Sequence, residues 1–160
     1  MLRRALVGAA VMVALLALAA GAWAAEVSRT EYRESAEPIC KVDTQANERI
    51  LAGVRTEVGD GRLGPPAAKF AKAAKALKKA LAQLEALPRP SADEARLAKW
   101  FATVKTEAGY FEAVSRKLAA GQKSAAERLV DKLSITATKA NAQVLPFEFT
   151  YCRLEPSRFT

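Results

Sequence analysis

Histidine is absent from all 160 residues, and that absence excludes a large share of familiar chemistry. Without imidazole there is no Ser-His-Asp or Cys-His nucleophile system, no His-ligated zinc or copper, and no Glu-x-x-His di-iron bundle. A c-type haem, which needs Cys-x-x-Cys-His, is excluded as well. Methionine is nearly as scarce: the two copies are Met1 and Met12. Both lie in an N-terminal segment expected to be removed, so a soft-metal site would have to be built from Cys40 and Cys152 alone. No metal and no cofactor is therefore expected. Two cysteines are also too few for a loop-rich disulfide scaffold, and aromatics make up only 7% of the chain. What is left is carboxylate, amine or hydroxyl chemistry, or binding.

The composition that remains is 51% hydrophobic with a formal net charge of +8. This length suits a single domain with a real core. The chain opens with the basic pair Arg3-Arg4, and from Ala5 to Ala25 it carries no charge, with Val11 to Leu18 as the apolar centre. Ala22-Trp23-Ala24 supplies the small-x-small pattern of a signal peptidase site. Residues 1–24 are accordingly read as a signal peptide, and residues 25–160 as one exported domain, periplasmic, cell-wall or extracellular. The alternative is an uncleaved membrane anchor, since a spanning helix needs only about 17–25 residues. No cysteine follows the apolar stretch, so lipid attachment is excluded. Arg3-Arg4 lacks the longer polar context of a twin-arginine signal, which favours general secretion. Removal of Arg3 and Arg4 takes the net charge from +8 to +6.

In an oxidising compartment two cysteines most economically form one bond, Cys40 to Cys152. Two free buried thiols are the other possibility.

Four helical stretches lie between punctuation marks. The first begins around Pro38, with Ser35 and Glu37 as starting residues. Ile39, Val42, Ala46, Ile50 and Val54 form its apolar face, and Gly59-Asp60-Gly61 ends it. The second follows Pro65-Pro66, runs to about Leu87, and presents Phe70, Ala73, Leu77, Leu81 and Leu84. The third opens at a capping box, Ser91-Ala92-Asp93-Glu94, turns Leu97, Phe101, Val104, Ala108 and Phe111 inward, and stops at Gly121. A second box, Ser124-Ala125-Ala126-Glu127, opens the fourth, whose stripe is Leu129, Leu133, Thr136, Ala137, Ala140 and Val144, ending at Pro146. The fold expected is all-α: an up-down-up-down four-helix bundle. That topology puts the start of the first helix and the end of the fourth together, where a Cys40–Cys152 bridge needs them. The tail, residues 146–160, alternates aromatic and polar residues and is expected to be extended.

Tyr32-Arg33-Glu34-Ser35-Ala36-Glu37-Pro38-Ile39-Cys40 with Asn47, and Ala140-Asn141-Ala142 with Cys152, resemble a group of small exported helical proteins of actinobacteria. The segment Leu145-Pro146-Phe147 departs from the Leu-Gly-aromatic turn of that group. The resemblance implies export and a helical fold and brings no activity with it.

Three features bear on function. Gly59-Asp60-Gly61-Arg62-Leu63-Gly64 matches G-x-G-x-x-G by letter, but a helical pattern precedes it and Pro65-Pro66 removes two N–H donors, so it reads as an interhelical turn. A residual alternative is an anion held by Arg62 and Lys69. The second helix carries Lys72, Lys75, Lys78 and Lys79 on one arc opposite its apolar stripe, a basic ridge whose first reading is a solvated helix face and whose functional reading is contact with an anionic lipid or polymer. Nucleic acid is not expected, since no aromatics interleave with the charges. Phe147, Phe149 and Tyr151, tethered by Cys152, are expected to lie over the open end of the bundle as a hydrophobic lid, or to border a small apolar ligand site.

Among polar residues, Asn47 and Asn141 flank the first and fourth stripes and are expected to bond each other or backbone. Tyr32, Trp100, Tyr110 and Ile135 fall off the inner faces and mark a possible partner surface. The leading expectation is a non-catalytic exported module that binds a protein or an anionic component of the cell envelope. The rival is a carboxylate-based envelope enzyme, whose mark would be two carboxyls converging in a deep groove.

Overall fold

A computed structural model describes residues 26–155. The signal peptide expected over residues 1–24 and the last residues of the tail lie outside the described residues. What is described is all-helical, with four long helices and one short one. These are α1 (Arg29–Leu51), α2 (Val54–Gly59), α3 (Gly64–Glu85), α4 (Glu94–Ala119) and α5 (Lys123–Gln143). Short 3-10 turns at Ser91–Asp93 and Leu145–Phe147 precede α4 and follow α5. Helix α3 packs on α1 and α4, and α4 packs in turn on α5.

The first helix starts well ahead of Pro38. Its cap is Ser28: the hydroxyl accepts the Glu31 N–H at 3.2 Å while the Glu31 carboxylate accepts the Ser28 N–H at 2.8 Å. This reciprocal pair, together with the burial of Tyr32 and Ala36, carries the helix through Pro38, whose ring removes one backbone donor from the ladder. The helix also ends early. Gly53, at φ 76°, turns the chain in a conformation that suits glycine, and α2 follows as a separate turn and a half.

The face of α1 that enters the core differs from the apolar face expected from the sequence. Tyr32, Ala36, Cys40, Asn47 and Leu51 are buried, whereas Val42 is 69% exposed. The stripes of α3 and α4 are as expected from their spacing, with Phe70, Ala73, Leu77, Leu81 and Leu84 on one and Leu97, Phe101, Val104, Ala108 and Phe111 on the other, all buried. In α5, Leu133, Ala137, Ala140 and Val144 are buried, while Leu129 and Thr136 are only partly so.

Neither expected capping box forms. The Ser91 hydroxyl bonds the Glu26 carboxylate instead, and α5 begins at Lys123 behind Gln122, with no side-chain cap. Asp93, expected inside the first box, is buried. It takes Arg29 through Nε at 2.5 Å and through the second guanidinium nitrogen at 3.0 Å, with Arg96 at 3.4 Å. This pair ties the start of α1 to the start of α4, and the Arg29 guanidinium holds the Asp93 carboxyl below its ordinary range.

Cys40 and Cys152 are bonded, with their Cα atoms 4.9 Å apart. The tail opens with a 3-10 turn, passes through Glu148 at φ 53°, and contains no strand among the described residues. It runs alongside α1: Arg33 reaches Glu148 at 3.2 Å, the Glu37 carboxylate accepts the N–H groups of Thr150 and Tyr151, and the Thr44 hydroxyl donates to the Tyr151 carbonyl at 3.1 Å. From α5, the Asn141 side chain donates to the Leu154 carbonyl at 2.9 Å and accepts its N–H at 3.1 Å. The tail is thus stitched to both α1 and α5.

Candidate functional site

The glycine-rich segment is a turn. It follows a helix, and its two cations are engaged: Arg62 bonds Asp60 at 3.0 Å, while Lys69 holds Glu57 at 2.9 Å and the Ala52 carbonyl at 2.7 Å. An anion held there by Arg62 and Lys69 would have to displace both carboxylates.

The basic ridge is exposed along α3. Lys72, Lys75, Lys78 and Lys79 all face away from the core, because the positions beside them, Ala73, Ala74, Leu77 and Ala80, are the ones that pack inward. Lys78 reaches across to Glu112 on α4 at 2.5 Å, and the neighbouring Glu85 is taken by Lys105 at 2.7 Å. Lys72, Lys75 and Lys79 have no carboxylate partner among the described residues.

Two of the three tail aromatics enter the core, and the third, Tyr151, borders a cavity. Phe147 and Phe149 are buried and stacked on each other at 5.3 Å between ring centroids. Tyr32 meets Phe147 edge-on at 5.6 Å, and Trp100 stacks on Phe149 at 5.7 Å. Tyr32 and Trp100, expected on the outside, are therefore core residues that receive the tail. Tyr110 is partly buried against the core, and of the four only Ile135, 58% exposed, stands on the surface. Tyr151 is half-buried, with the Lys41 ammonium 5.3 Å above its ring.

The chemistry that sequence reasoning missed lies inside. Glu107 is 1% exposed, and its Oε1 has no hydrogen-bond partner. Burial alone raises its pKa to about 8, so the carboxyl is mostly protonated at neutral pH. Asp43 is raised to about 6 by burial, with a hydrogen bond from Asn47 pulling the other way. Its Oδ1, and the Oδ1 of the buried Asn47, also lack partners. Asn47 and Asn141 thus do not satisfy each other: Asn141 serves the tail backbone and Asn47 sits beside Asp43.

Asp43 and Glu107 line one cavity of about 50 Å³. Its walls are aliphatic side chains of α3, Leu77, Leu81 and Leu84, with Trp100 and Val104 of α4, and the tail residues Tyr151–Leu154 border it. Pockets that take sugars or nucleotides run to roughly 300 Å³ and upward. This one holds a few waters or a very small ligand.

A signal for Glu107 was present. Trp100, Glu107 and Val114 are spaced by seven and lie on one side of α4, and all three are buried. Because α4 packs on both α3 and α5, its inner face is wider than a single stripe of three-and-four spacing.

A second, shallower concavity of about 430 Å³ lies between α2, α3, α4 and α5, floored by Val58, Phe70, Val114 and Leu118 and rimmed by Arg55 and Asp131. No helix among the described residues is long and apolar enough to cross a membrane. In comparisons with known proteins, no family model, no curated protein and no solved structure matches this chain.

Proposed function

We propose that this chain is a non-catalytic, exported helical module that binds an anionic component of the cell envelope, lipid headgroup or polymer, through the basic ridge of α3. The observation that carries this reading is the state of three ammonium groups. Lys72, Lys75 and Lys79 are exposed and unpaired on a helix whose other lysines are held by Glu57 and Glu112. Unpaired cations in a row attract a polyanion, with about 1 kcal/mol from each residue near a charged surface. Export is supported by the basic-apolar-small pattern of residues 1–24 and by the disulfide, which suits an oxidising compartment. We further infer that the four long helices run up-down-up-down. The short connections between α3, α4 and α5 support that topology, and the bridge ties the middle of α1 to the segment after α5. The likeness to exported actinobacterial helical proteins points the same way.

The test is replacement of Lys72, Lys75, Lys78 and Lys79 together by Gln. Helix propensity is nearly unchanged, so the fold should survive, and helical circular dichroism checks that it does. Cosedimentation with anionic vesicles, or retention on an anionic wall polymer, should fall at least about tenfold for the variant at low salt. Wild-type binding should weaken as salt rises. Equal binding by the two proteins at both salt levels would leave the ridge a solvated helix face and end this reading.

A further inference from the structure

The interior of the bundle holds acceptors without donors. Asp43 Oδ1 and Glu107 Oε1 are both buried and unpartnered, and both residues line the same cavity of about 50 Å³. A buried acceptor left without a donor costs free energy that a ligand carrying N–H groups would recover. The lining fixes what kind of donor fits. Two carboxyls select a cation. The walls, Leu77, Leu81 and Leu84 with Trp100, reject a fully hydrated metal ion and accept an alkyl group. Hard divalent cations take six to eight oxygen ligands or keep their own waters. Among the described residues no group of three or more ligating side chains is assembled to hold a metal. The volume excludes a ligand much larger than an ammonium group with a carbon or two.

We propose that this cavity binds a small primary alkylammonium ion, its N–H groups donating to the carboxyls of Asp43 and Glu107 and its alkyl part resting on the leucines of α3. This is independent of the ridge on the outer face of α3. The protons balance simply. The ligand enters as R–NH3+ and stays so, Asp43, raised only to about 6, is already mostly ionised at pH 7, and the Glu107 carboxyl gives its proton to solvent and becomes the second counter-ion. Burial holds Glu107 protonated in the ligand-free protein at neutral pH, so binding at pH 7 releases protons to the buffer. The other ionisable groups on the lining are Tyr151 and Arg153 of the tail. Arg153 is exposed and shares the rim with the entering cation, so its charge opposes binding.

The experiment is calorimetric titration of the full chain with ethylammonium chloride, with ethanol as the neutral isostere and sodium chloride at matched ionic strength. It is run at pH 7 in two buffers of different ionisation enthalpy. The expected result is binding of ethylammonium at least about tenfold tighter than ethanol, with a buffer-dependent heat that reports proton release. Glu107→Gln and Asp43→Asn should each lose at least about tenfold in ethylammonium affinity, with helical circular dichroism retained, and Glu107→Gln should also abolish the proton release. Should one variant fail to fold, the other together with the ethylammonium–ethanol comparison decides. Equal affinity for ethylammonium and ethanol, or wild-type affinity in every folded variant, or a heat that does not depend on the buffer, would each overturn the proposal and leave the cavity a pocket for water.

Discussion

At the scale of single residues the energetics turn on Glu107. A carboxyl whose pKa is higher in the folded chain than in the unfolded one binds more protons when folded. Stability therefore falls as pH rises between the two values. For Glu107 the window runs from the ordinary glutamate range, near 4.5, up to about 8. Below it the side chain is neutral in both states and contributes no penalty; above it the folded protein carries a buried charge with no counter-ion. Glu107→Gln keeps the shape and removes the proton equilibrium. The variant should be more stable than wild type at pH 8, on the order of 1–4 kcal/mol, and the difference should shrink toward zero near pH 4. Denaturant unfolding of both proteins across that range checks it. A wild-type protein whose stability relative to the variant does not change between pH 5 and pH 8 would mean that Glu107 is solvated. Asp93 behaves in the opposite sense. Its carboxyl is held low by Arg29, so its contribution is present above the ordinary aspartate range and lost as acid protonates it.

The elements show which parts of the fold were legible in the sequence and which were not. α3 and α4 were readable because their apolar residues recur at three and four and are large: Phe70, Leu77, Leu81 and Leu84, then Leu97, Phe101 and Phe111. α1 misled because its inner face is the more polar of two adjacent stripes. Tyr32, Ala36, Cys40, Asp43, Asn47 and Leu51 keep the spacing of a helical face, while Ile39, Val42, Ala46 and Ile50 lie one residue away and are more apolar. The position of Cys40 was the clue, since a bridge to Cys152 fixes which side of α1 faces the tail. The interior carboxyls were hidden for the same reason: hydrophobicity ranks a stripe by its average, and a cavity lined by Asp43 and Glu107 lowers that average where it matters. The first capping box gives way because Glu26 takes the Ser91 hydroxyl and Ser91–Asp93 forms a 3-10 turn, and the second is absent because α5 already begins at Lys123, ahead of Ser124. The break between α1 and α2 depends on Gly53 at φ 76°. No atom stands within 4 Å of a Cβ added there, so Gly53→Ala probes backbone conformation alone. It should cost about 1 kcal/mol, seen as a lowered thermal midpoint with unchanged helical content. An unchanged midpoint would mean that α1 runs on into α2 without a turn.

For the whole molecule the decisive covalent feature is the bridge from Cys40 to Cys152, which closes a loop with a sequence separation of 112 residues. The tail it fastens is part of the core: Phe147 and Phe149 are buried and stack with Tyr32 and Trp100, so it is the tail that joins α1 to α5. On the chain-entropy account a loop of that length constrains the unfolded chain by about 4–5 kcal/mol. Helices α3 and α4 have a continuous apolar seam of their own and do not need the bridge to stay helical. Reduction should therefore lower the thermal midpoint by on the order of 10–20 °C while far-ultraviolet circular dichroism at low temperature stays close to that of the oxidised protein. The loss should appear first where the tail is stitched. Amide exchange at Tyr151, whose N–H is held by Glu37, and at Leu154, whose N–H is held by Asn141, should speed up more than exchange in the middle of α4. A protein that shows two reactive thiols when purified from an oxidising compartment, or a midpoint unmoved by reduction, would remove the bridge from this account. Uniform acceleration of exchange across α4 and the tail would instead mean that the tail and the helices unfold as one unit.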